Sequence, residues 1–174
     1  MLRIRKEFIM RFTNPYLHAI EKIYGFLIKV GSNLQSLFLL YMRITWGHRF
    51  VLNGLGKLQA IEKTADYFAS LHISHSLFNA YLVGSIEFIG GLCILFGFAS
   101  RLAAIPLVII MLAALSTAHA SEISHFKFLF DPATLGKQPP YPFLITCLMV
   151  FIFGPGRISI DAWLKRWSEK RRKY

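Results

Sequence analysis

From Leu102 to Ala118 the chain carries no charged side chain, and nearly every residue in that stretch is apolar. Such a run either crosses a bilayer or is buried in a large protein core. A chain of 174 residues has room for one domain of ordinary size. Three more apolar runs, from about Ser36 to Lys57, Ala80 to Phe98 and Tyr141 to Phe153, would compete for that single core. Lipid accommodates all four. At a rise of about 1.5 Å per residue the Ser36–Lys57 run is long enough for a hydrocarbon layer of about 30 Å. The Tyr141–Phe153 run is short and must stand untilted, borrow flanking residues or thin the bilayer. Composition agrees, with 55% hydrophobic and 17% charged residues, where soluble domains carry about 25% charge. The expected fold is therefore an all-α membrane protein, a four-helix transmembrane bundle with amphipathic interfacial helices at both ends.

The net charge of +11 calls for an anionic partner. A nucleic-acid binder gathers Lys and Arg on one face with aromatics between them. Here they flank the apolar runs at the two ends of the chain, so nucleic acid is excluded in favour of a membrane surface. Fourteen Lys and Arg lie in the leader, the turn at Arg101 and the tail, against four (Lys57, Lys63, Lys127, Lys137) in the other two loops. The positive-inside bias then puts both termini in the cytoplasm, beside an anionic inner leaflet. Three segments follow: a basic amphipathic leader over 1–33, a four-span domain over 34–156 and a basic tail over 157–174.

In the leader, Asn14 is expected to cap a helix opening at Pro15. Tyr16, Leu17, Ile20, Ile23, Tyr24, Leu27 and Ile28 share one face of that helix, which suits the headgroup layer. No apolar core with a small-residue cleavage site follows the first charges, so no cleaved signal is expected. The loop over 58–78 is expected to hold a short amphipathic helix around Ile61–Leu71. The loop over 119–140 ends irregularly at Gln138-Pro139-Pro140. Gly154-Pro155-Gly156 stops the last span. Ser159 then caps a final helix with Asp161 in its first turn and Trp163 and Trp167 as membrane-interface anchors.

Charges inside a span are costly, about 2.5–3.5 kcal/mol each at a helix centre, and normally face the protein interior. Arg43, His48 and Arg49 lie in the first run and Glu87 in the second. At about 100° per residue Gly47, Phe50, Gly54 and Lys57 share the stripe of Arg43, while Ala80, Gly84, Gly90 and Gly91 share that of Glu87. Small residues let helices approach closely, so the two stripes are expected to face one another. Three roles fit Arg43 and Glu87: a buried ion pair, a ligand or proton site, or an Arg43 that reaches the headgroups unpaired.

Other chemistry is sparse. Cys93 and Cys147 sit in apolar runs without metal-binding or redox spacing and read as packing residues. His72, His75, His119, Glu122 and His125 fall on one side without a specific metal spacing, so no metal is expected. Nucleotide, covalent haem and hydrolase motifs are absent.

Three segments resemble the DoxX family of small integral membrane proteins. RITWGHRFVLNGLGKL from Arg43 to Leu58 follows that family's R…G…F…G…K pattern. GSIEFIGGLCILFGFASR from Gly84 to Arg101 follows its E-x-x-G-G…G-x-x-x-R run. GPGRISIDAWL from Gly154 to Leu164 resembles its GPG-R-x-S-x-D ending. The resemblance implies a four-helix membrane bundle in a bacterial inner membrane. Some relatives are subunits of quinone-linked sulfur-oxidising complexes, others are associated with oxidative-stress defence, and distant eukaryotic ones act as cargo receptors. The family name alone is no function. Two roles follow as expectations. In the first, the chain is a quinone-contacting subunit of a membrane redox complex, its candidate site drawn from Arg43, Gly54, Lys57, Glu87, Gly91, Arg101 and His119. Quinone is then the one cofactor implied, and a membrane or redox partner supplies electrons. In the second, it is a non-enzymatic membrane scaffold. A solute permease would need further copies of the chain to form a pathway.

Overall fold

The computed structural model describes the backbone of residues 15–118 and 136–172, with side chains from residue 20 onward. Asn14 as a cap, and His119, Glu122 and His125 as loop or site residues, lie outside the described residues. Every described element is a helix. The chain divides into two compact units, Met1–Gln35 and Ser36–Tyr174.

Helix α1 is Pro15–Met42. The sequence predicts a leader helix that stops before a span begins near Ser36, but the backbone stays helical throughout. Gly31, Ser32 and Asn33 are the weakest helix formers there, and without a proline they cost at most about 1 kcal/mol each, too little to end a helix. Within the first unit Ile20, Ile23, Tyr24, Leu27 and Ile28 are all exposed.

In the second unit the helix widens at Arg43–Gly47 into a π-helical turn and continues as α2, His48–Gln59. The wide turn has a geometric use. At 3.6 residues per turn, positions four apart drift by about 40° each time, which would swing Gly47 away from the face of Leu39. The extra residue takes up that drift, so Leu39, Arg43 and Gly47 are all buried. His48 and Arg49 fall on the exposed side, Arg49 with its guanidinium over the Trp46 ring.

Helix α3 (Ile61–Ser70) fills the expected amphipathic stretch, and α4 spans Ser76–Phe96, α5 Ser100–Ala118, α6 Pro140–Phe153 and α7 Ile160–Arg171. Helix α4 ends before the predicted Phe98 because Gly97 turns left-handed at φ +69°, with the Phe98 N–H donating back to the Cys93 carbonyl at 3.0 Å. Among the described residues three apolar helical stretches are long enough to cross a membrane: Ile20–Gln59, Ser76–Phe96 and Ser100–Ala118. Helix α6 is a shorter apolar helix.

Helices α2 and α4 meet backbone to backbone, with the two small-residue stripes against one another. A Cβ added to Gly54 would lie 2.8 Å from the Gly84 carbonyl, and one added to Gly91 2.8 Å from the Val51 nitrogen. Helices α5 and α6 close the core with Ala104, Leu107, Met111 and Leu115 against Phe143, Leu144, Cys147 and Val150. Phe143 holds Trp46 and Phe50 edge-on at 5.0 and 4.7 Å. The opposite side of α5 presents Leu102, Ile105, Ile109 and Leu112 outward, as a lipid-facing helix must.

Candidate functional site

Arg43 does not meet Glu87. Its guanidinium is buried and spends its fork on backbone carbonyls. Nε donates to Ile94 O at 2.9 Å, Nη2 to Leu95 O at 3.0 Å, and Nη1 to both Pro155 O and Ile158 O. Ile94 and Leu95 end α4, where helix carbonyls lack intrahelical donors. The Pro155 and Ile158 carbonyls belong to the irregular link after α6. One planar, permanently charged group with five donors is suited to that set of acceptors. Gly97 makes room for it, since a Cβ there would lie 2.6 Å from Arg43 Nη2.

The same end of the bundle is tied a second time. Asp161 accepts from the Ala99 N–H at 2.8 Å and the Ser100 N–H at 3.2 Å, and its own N–H donates to Gly97 O at 2.9 Å. A carboxylate on the first N–H groups of α5 is a charged N-cap supplied from the far end of the chain. Ser159 caps α7 as the sequence predicts, accepting from the Ala162 N–H at 3.2 Å.

Glu87 is paired with Lys57. Lys57 Nζ donates to Glu87 Oε2 across the α2–α4 seam, with the carboxylate side chain 5% exposed and the lysine 28%. The pair forms one wall of a cavity of about 350 Å³ among α2, α3, α4, α5 and the start of α6. Aromatic and aliphatic side chains make up most of the lining, among them Phe50, Tyr67, Phe68, Val83, Met111 and Phe143. Asn53, Asn79, Thr117 and the Tyr67 hydroxyl are the other polar groups of its lining residues.

The predicted site residues thus separate. Lys57 and Glu87 stay together at the cavity, and Gly54 and Gly91 bring the two backbones close enough for them to meet. Arg43 belongs to the knot at the α4–α5 turn. Arg101 is exposed at that same end, donating to Ile152 O at 3.4 Å, and does not line the cavity. Trp163 and Trp167 stack on exposed α7 with ring centres 6.4 Å apart. Among the described residues no three His, Cys, Asp or Glu side chains gather as a metal site.

A DoxX family model matches residues 38–120. The Bacillus subtilis (strain 168) protein named "Putative oxidoreductase CatD" is 33% identical over 125 residues, covering 72% of this chain and 85% of CatD. The chain belongs to the DoxX family. No solved structure matches it. With three membrane-length apolar helices, this DoxX-family chain is an integral membrane protein.

The DoxX-like segments sort by task. From the first segment, Arg43 goes to the knot, Gly47 and Gly54 to the seam and Lys57 to the cavity. From the second, Glu87 goes to the cavity, Gly91 to the seam and Gly97 to the knot. The third supplies the carbonyls of Pro155 and Ile158 and the carboxylate of Asp161. Sequence reasoning missed Asn53 and Asn79 at the cavity and the partner of Asp161. Asn53 carried a signal, since it precedes Lys57 by one helical turn.

Proposed function

We propose that this DoxX-type membrane protein binds a quinone head in the α2–α4 cavity, as the quinone-contacting subunit of a membrane redox assembly. The carrying observation is the Lys57–Glu87 pair on the wall of an otherwise apolar cavity in a membrane chain. Ionisable groups placed inside a membrane mark functional sites, and cavities of about 300–1,000 Å³ with few convergent polar groups are typical ligand sites. The fit is chemical as well. The Lys57 ammonium can donate to a quinone carbonyl, Asn53 and Asn79 offer amide donors, and the aromatic walls suit a flat ring. CatD, by its name, is itself linked to oxidoreductase chemistry.

Reduction of a quinone to its quinol takes two electrons and two protons. The electrons come from a partner redox protein, and the residues of this chain handle protons. Glu87 Oε2 exchanges a proton with the bound head while Lys57 Nζ steadies whichever form carries negative charge. In this proposal the bundle has four spans, with α6 upright as the fourth, both termini cytoplasmic and the bacterial inner membrane as its home. The fourteen-to-four charge bias supports that orientation.

Quinone extracted from protein purified in mild detergent, identified by mass spectrometry beside a Glu87→Gln variant, tests the proposal. Quinone in the wild type, depleted in a folded variant, is the expected result. A wild type free of quinone overturns it and moves the function to a membrane scaffold.

A further inference from the structure

The knot fixes where α7 sits. The turn at Gly97–Ala99 joins α4 and α5, and each is long enough to cross the hydrocarbon. A turn between two such helices lies at the membrane surface. Asp161, through Gly97, Ala99 and Ser100, holds the start of α7 against that turn. Helix α7 therefore starts at the surface.

Its composition matches that place. Ile160, Trp163, Leu164 and Trp167 recur at one-turn spacing and are all exposed. Lys165, Arg166, Lys170, Arg171 and Arg172 are exposed too, against Glu169 and an Asp161 already engaged as a cap. Arg171 lies over the Trp167 ring at 3.8 Å, so cation and indole point to the same region. Arg101 adds a further exposed cation in the first turn of α5.

We infer that α7 is a docking surface for anionic phospholipid, with its Ile160–Trp167 stripe among the upper acyl chains and its basic side chains on the phosphates. Charge complementarity selects the occupant, and indoles favour the headgroup level. An acidic soluble partner would have to displace the bilayer from an apolar stripe at its own surface. The inference stands apart from the quinone proposal and survives its failure.

The full chain in bilayer discs of phosphatidylcholine with a minority of phosphatidylglycerol tests it, with brominated acyl chains placed on one lipid or the other. Trp163→Phe/Trp167→Phe protein supplies the Trp46 background. Tryptophan quenching per mole fraction should be roughly twofold or more greater from phosphatidylglycerol. That preference should fall as salt is raised, and vanish in Lys165→Gln/Lys170→Gln/Arg171→Gln/Arg172→Gln protein. Equal quenching by the two lipids overturns the inference and leaves α7 an unselective interfacial anchor; quenching by neither overturns it and points to a protein partner. A preference that ignores salt, or survives neutralisation of the helix, also overturns it.

Discussion

Lys57 on α2 pairs with Glu87 on α4, while Arg43 gives its hydrogen bonds to backbone carbonyls. Two cations on one helical stripe thus take different work: one completes a cavity wall, the other holds an end of the bundle shut.

Removing one member of the cavity pair should hurt more than removing both. Lys57→Met leaves Glu87 buried without its cation and should cost about 3 kcal/mol or more. Lys57→Met/Glu87→Leu should recover a good part of that loss. Thermal unfolding of the three proteins in one detergent checks the order, and a double variant less stable than Lys57→Met would show that the pair does not act as a unit.

Arg43→Met strips the donors from the carbonyls of Leu95, Pro155 and Ile158 and leaves Ile94 O with the Gly97 N–H alone. At about 1–3 kcal/mol for a buried unsatisfied acceptor, the bundle should lose about 3–5 kcal/mol, and folded yield should drop with it. Arg43→Lys should rescue only partly, because a point charge cannot span acceptors arranged for a planar fork. Full recovery by lysine in a melting experiment would contradict the geometry.

The α2 glycines should respond oppositely to one methyl group. Gly54→Ala drives a Cβ into the backbone of α4 and should separate the helices, costing about 2 kcal/mol or more. Gly56 faces open space, and Gly56→Ala should stabilise by about 0.5–1 kcal/mol through the helix backbone. Melting temperatures of the two single variants distinguish the seam from the outer face.

Asp161→Ala should cost about 1–2 kcal/mol by uncapping α5. It should also free the tail, so limited trypsin treatment should remove α7 faster than in the wild type. Unchanged cleavage would mean that other contacts hold α7 in place.

The helices and the seam were legible because period and small-residue stripes survive in the sequence. The partner of Glu87 was not: the stripe and a count of residues from the span ends allow Arg43 to reach it, whereas Lys57, on the same stripe, is the cation that does. The destination of Arg43 was harder still, since its acceptors are backbone carbonyls, which every residue has. Gly97 was the available clue, because a helix stopped by glycine leaves carbonyls in need of donors. Asp161 misled by being plausible at home: an acid in the first turn suits its own helix, yet its carboxylate serves α5. The π-helical turn had no signal, as only packing demands that Leu39, Arg43 and Gly47 all point inward.

The two ties of the knot also impose an order of assembly. Arg43 bonds to carbonyls 112 and 115 residues further along, and the Ala99 N–H to a carboxylate 62 residues further along. Each emerges from the ribosome long before its partner exists. Helices α2, α4 and α5 must therefore enter the bilayer with a buried cation and an uncapped helix start still waiting. A stretch made more than a hundred residues later completes what Arg43 begins.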